Sequence, residues 1–67
     1  MFKIEVEREN DGQWLAEVVE LPCVLGYGAT RQEAVERAQA LALRILADQL
    51  EHGENVPQIG EVFAVMP

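Results

Sequence analysis

Residues 30–53 constrain the fold more than any other stretch of this chain. Thr30-Arg31-Gln32-Glu33 has the form of a capping box. In that motif the threonine hydroxyl accepts from the amide three residues on, and the glutamate reaches back to the threonine amide. Ala34, Val35, Ala38, Leu41, Ala42, Ile45 and Leu46 then recur at three- and four-residue spacings and form one apolar stripe. Gly53 stands where a left-handed cap would end the helix near Glu51 or His52. About 21 helical residues span roughly 30 Å. In a chain of 67 residues, such a helix crosses the whole domain, and the rest must be arranged around it.

What precedes the helix reads as sheet. Phe2, Ile4 and Val6 alternate with Lys3, Glu5 and Glu7, the period of a half-buried strand. Asn10-Asp11-Gly12 carries the Asp-Gly hairpin signal. Trp14, Ala16 and Val18 then alternate with Leu15, Glu17 and Val19, so the second strand has apolar residues on both faces. Either face can meet the helix; the other then needs a partner, because one helix covers one side of a sheet. Leu21-Pro22 ends this strand, and Val24 to Tyr27 reads as a short third one or a bulged return. After a turn at 54–58, Val62 and Ala64 alternate with Phe63 and Val65, which predicts a fourth strand. The expected fold is a two-layer α+β sandwich of order β-β-β-α-β, one domain over residues 1–67. Its sheet is antiparallel or mixed, and it carries one long helix. The expected core is Phe2, Ile4, Val6, Trp14, Ala16, Val18, Val35, Ala38, Leu41, Ala42, Ile45 and Leu46.

Size and charge narrow the function. A domain this short buries only about 60% of the surface its unfolded chain exposes, so it leans on extra support. A lone cysteine, Cys23, forms no internal disulfide, and a lone histidine, His52, makes a Cys/His metal site unexpected. Oligomerisation or docking on a partner is the support left. Twelve acidic residues against five basic ones give a net charge of −7. That balance disfavours direct binding to nucleic acid and suits a basic protein partner. No stretch approaches the ~18 apolar residues of a membrane span, and the first residues lack a signal-peptide core. The reading is a cytoplasmic chain with no membrane contact.

The residues that could carry chemistry have plainer explanations. Glu5, Glu7 and Glu17 read as a solvated strand face rather than a catalytic carboxylate set. His52 reads as a helix-terminus residue. Cys23 lacks a nearby base and reads as a small buried side chain. Gly26-Tyr27-Gly28-Ala29-Thr30 lacks both the lysine of a phosphate loop and the third glycine of a dinucleotide fingerprint, so it reads as a turn feeding the helix. Trp14, without basic neighbours, reads as a packing residue. No catalytic residue, metal ligand or cofactor is expected. The partner-binding candidates are Leu15, Glu17 and Val19 on the second strand, with Leu43 and Ala47 from a second apolar row, with Ala40, on the helix.

Taken in order, Trp14-Leu15-Ala16-Glu17, Leu21-Pro22-Cys23-Val24, Tyr27-Gly28-Ala29-Thr30, Glu33-Ala34 and Gly53 with Val56-Pro57 resemble the HicB-like antitoxin family over roughly residues 2–65. The resemblance implies a degraded ribonuclease-H-like fold without working carboxylates. It also implies a partner: a small basic, mRNA-cutting toxin of double-stranded-RNA-binding type, neutralised by covering its active surface. Two departures limit it. Members often add a C-terminal DNA-binding segment, which is not expected here, so operator binding is not carried over. Cys23 stands where relatives often have glycine after the proline. Beside the toxin partner, the second expectation is a self-associating module, with a homodimer favoured.

Overall fold

The computed structural model describes the backbone of residues 1–67 and every side chain but that of residue 58. Three strands, β1 (Ile4–Arg8), β2 (Trp14–Val18) and β3 (Leu25–Gly28), form an antiparallel meander in the order β1-β2-β3. One helix, α1 (Arg31–Glu51), packs on one side of it. The α+β architecture is therefore a three-stranded sheet followed by a single helix.

Local chemistry sets each joint. In the first hairpin the Gly12 amide donates to Glu9 O at 3.0 Å and the Glu9 amide to Gln13 O at 2.7 Å. Gly12 sits at φ +87°, so the three-residue loop is a turn closed by a left-handed glycine, as the Asp-Gly pair predicts. At 21–24 the Val24 amide donates to Leu21 O at 3.2 Å. Pro22 occupies the second position of that turn and Cys23 the third, with φ +68°. This is the type II pattern, whose third position favours glycine. The expectation of a buried Cys23 is corrected: the thiol is exposed, because the turn faces solvent. A Cβ in the left-handed region costs about 1–2 kcal/mol. Cys23→Gly is thus expected to raise stability by about 1 kcal/mol, read as a higher urea midpoint at unchanged slope. A lower midpoint would contradict this account of the turn.

The helix begins as its sequence predicts, with one change. Thr30 has extended geometry, and its Oγ1 accepts from the Glu33 amide at 3.1 Å. The Glu33 carboxylate does not complete the box; it pairs with Arg37 Nη2 at 2.8 Å, one turn along. The cap therefore rests on the threonine. Thr30→Ala should cost about 1 kcal/mol, seen as a fall of several degrees in thermal midpoint. At the other end the Gly53 amide donates to Leu50 O at 3.1 Å and the Glu54 amide to Gln49 O at 2.9 Å. With Gly53 at φ +73°, these bonds are those of a Schellman cap.

Side-chain size decides where the helix sits. Across the sheet, the positions on its side run from Ile4 and Val6 on β1, through Val18 and Ala16 on β2, to Gly26 and Gly28 on β3. The surface falls away toward β3, and α1 settles there. Built onto Gly26, a Cβ would lie 2.5 Å from both Ala34 O and Ala38 N; at Gly28 it would lie 2.7 Å from Ala34 N. Ala34 and Ala38, both 0% exposed, are the matching small residues on the helix. Most of the packing of α1 is accordingly against β3 and β2, with little against β1. Ala16, Val18, Val24, Ala34, Ala38 and Ala42 form the buried centre, with Trp14, Val35, Leu41 and Ile45 around it. Phe2, Ile4 and Val6 pack against that centre but stay only half-buried.

The expected fourth strand is not formed. Val56 is buried, Pro57–Glu61 is a short 3-10 helix with proline in its first turn, and 62–67 has no regular structure. The amides of Val62 and Phe63 bond back to Ile59 O at 3.0 and 3.1 Å. Alternation marks a segment able to be a strand; a strand also requires a neighbour to bond, and this segment has none within its own chain.

Candidate protein-binding face

The register lays out the sheet face opposite the helix. Glu5 lies across from Glu17, and Glu17 from Leu25; Glu7 lies across from Leu15, and Leu15 from Tyr27. Val19 extends the same face beyond the end of β2, its amide bonded to Lys3 O at 2.9 Å. The face therefore has two halves. Toward β1 stand three carboxylates, Glu5, Glu7 and Glu17. Toward β3 stand Leu15, Leu25 and Tyr27, with Leu25 38% and Tyr27 52% exposed. Among the described residues, no element covers this side.

The ambiguity of the second strand is resolved here. Trp14, Ala16 and Val18 turn to the helix, and Leu15, Glu17 and Val19 turn away from it. The cause is β3: only a face whose third column is glycine lets the helix backbone approach. Of the five partner-binding candidates, the structure brings together Leu15, Glu17 and Val19. Leu43 and Ala47 are exposed on the helix, on the other side of the sheet, and belong to a different surface. Leu25 and Tyr27 complete the open face and were missing from the sequence expectation. Their signal is the large-small alternation Leu25-Gly26-Tyr27-Gly28, which places the large residues opposite the glycines.

The carboxylates of the face crowd one another on β1 and β2, with Lys3 at the margin beside Val19. Glu5 and Glu17 are directly opposed like charges, an arrangement that destabilises a free sheet. Neither is paired with a Lys or Arg among the described residues. At the margin, Glu20 Oε1 accepts from the Lys3 amide at 3.0 Å. That bond holds the Glu20 carboxyl below the usual carboxylate range. The bond supports the fold at pH above the ordinary glutamate value, and its support is lost as pH falls through the depressed one. The β3 edge is closed differently: Arg37 Nη1 donates to Tyr27 O at 2.7 Å, while its Nη2 holds Glu33.

Compared with known proteins, the chain matches no family model, no curated protein and no solved structure.

The residues weighed for chemistry are dispersed. His52 caps the far end of the helix, its Nδ1 2.7 Å from Asp48 O. Cys23 lies in the turn after β2, and Trp14 packs into the core beside Gly28. The Gly26–Thr30 segment brings strand and helix into contact and leaves no cradle for an anion, because Ala34 and Glu33 fill the space beside Gly28. Among the described residues no group of three or more His, Cys, Asp or Glu is placed to hold a metal ion. No described helix is long and apolar enough to cross a membrane.

A second surface lies on the helix side. Because α1 sits over β3 and β2, a groove of about 410 Å³ remains between α1 and β1. Phe2, Ile4 and Val18 form its floor, and Gln39, Ala42, Leu43 and Leu46 its wall.

Proposed function

We propose that this chain is a non-catalytic protein-binding module that docks a small basic protein on its open sheet face. One observation carries the reading: an apolar column of Leu15, Leu25 and Tyr27 beside an acidic column of Glu5, Glu7 and Glu17, on a face that no element among the described residues covers. The apolar half supplies contact area that gains by leaving water. The acidic half supplies orientation and a fast encounter with a cationic surface. A partner bringing Lys or Arg between Glu5 and Glu17 also relieves the repulsion the free sheet carries.

The motifs shared with HicB-like antitoxins suggest what that partner is: a small basic ribonuclease that cleaves mRNA in the cytoplasm. Such an enzyme must present cations to RNA. A complementary acidic face that covers them blocks cleavage by occlusion, without chemistry of its own. The same charge that suits the toxin disfavours RNA, so the module does not compete for substrate by binding it.

Titrating the protein into an RNA-cleavage assay of a candidate small basic ribonuclease from the same cells tests this. Cleavage is expected to fall to background at one equivalent when both are well above their dissociation constant. Undiminished cleavage at saturating protein would overturn the pairing.

A further inference from the structure

We propose that two copies of the chain pair by exchanging their C-terminal segments, Val62–Met66 of each adding along the free edge of β1 of the other and filling the groove beneath α1.

Three features meet at that place. The first is an unpaired edge. β1 has one neighbour in the sheet, β2, and the Lys3 carbonyl and the Glu9 amide point toward it. By alternation, the backbone groups of Ile4 and Val6 point outward, with no strand to bond them. The second is the groove itself, which adjoins that edge and has no charged lining residue. Leu43 on its wall is 67% exposed. The third is an apolar segment of strand pattern that touches little of its own chain: Phe63 is 66% and Val65 97% exposed. Once the Val62 and Phe63 amides release Ile59 O, the five residues can extend over about 17 Å, the length of the five-residue β1. Laid along that edge, the segment alternates as any strand does. Phe63 and Val65 turn toward the groove, where Phe2, Ile4 and Leu43 offer apolar contact, and Val62, Ala64 and Met66 turn the other way.

Charge opposes pairing of two copies everywhere but at this uncharged place, and the segment that fits it is the chain's own. Each chain carries −7, so two copies repel wherever their acidic surfaces meet. The open sheet face, with Glu5, Glu7 and Glu17, is closed to a second copy and open to a basic partner. The groove and the 62–66 segment are both uncharged, and there two copies meet without that cost. The exchange is self-complementary, each chain giving a strand and receiving one, and closes as a two-fold dimer. It also gives a chain of this size the additional apolar burial that a single small core lacks.

Analytical ultracentrifugation across a concentration series, with hydrogen exchange on the same samples, tests the proposal. The expected result is a dimer whose 62–66 amides become protected as the dimer forms. Phe63→Ser and Leu43→Glu change exposed side chains, so both variants keep the far-ultraviolet spectrum of the parent. Each should raise the dimer dissociation constant by at least about 100-fold, since a symmetric dimer loses the contact twice. An equimolar mixture should recover dimer, because the first variant keeps a working groove and the second a working segment. A monomer at every concentration overturns the proposal, whether its 62–66 amides exchange freely or are protected by docking within the chain. So does a dimer that neither substitution weakens.

Discussion

Gly26→Val is expected to leave the chain unfolded at 25 °C. A Cβ at this position would stand 2.5 Å from the backbone at Ala34 O and Ala38 N, and neither atom can move without displacing α1 from the sheet. Overpacking a core that can adjust costs about 1–3 kcal/mol, and a clash against backbone falls at or beyond the top of that range. A single core in a domain this short supplies no more than about 3–5 kcal/mol. The loss therefore rivals the whole. Gly60→Ala provides the comparison, since nothing lies within 4 Å of a Cβ built there. Circular dichroism and a urea titration should show the Gly26 variant without a folded baseline and the Gly60 variant within about 0.5 kcal/mol of the parent. A cooperative transition near the parent midpoint for Gly26→Val would mean that the helix does not rest on β3 as described.

Glu17→Lys is expected to strengthen the free fold and weaken partner binding at once. The substitution turns the opposed Glu5 and Glu17 into an opposite-charge cross-strand pair. Such pairs stabilise by about 0.2–1 kcal/mol, whereas opposed like charges destabilise. The same change puts a cation in the centre of a face read as cation-binding. Juxtaposed like charges at an interface cost several kcal/mol, so affinity for a basic partner should fall by about 100-fold or more. Opposite signs in the two measurements separate a binding role from a structural one. A substitution that merely damages the fold lowers both. If denaturant midpoint and affinity rose together, the acidic column would not be the contact surface.

Much of the architecture was legible because its signals are local. The threonine cap, the 3.6-residue stripe, the Asp-Gly turn and the alternation of β1 and β2 each report on a few neighbouring residues. Which face of β2 meets the helix was not legible from β2, since Leu15 and Val19 are as apolar as Ala16 and Val18. The deciding residues are Gly26 and Gly28 on another strand. Their role depends on a close approach between elements, which no single segment encodes. For the same reason Leu25 and Tyr27 escaped the list of contact residues, and Cys23 was expected inside, although its turn requires a backbone that points it outward. The segment 62–65 has the pattern of a strand without the partner that makes one. Periodicity there reported a capacity that the single chain leaves unused.

The most direct measurement is a paired affinity capture from the cells that make this protein, with tagged parent and tagged Glu17→Lys chains compared at low and high salt. The account predicts that the parent retains one small basic protein in stoichiometric amount. Salt should release it, because the contact is partly ionic, and the variant should lose it. Recovery of the bait alone, or a basic protein held equally by both chains, would contradict the reading of the open sheet face as the binding surface.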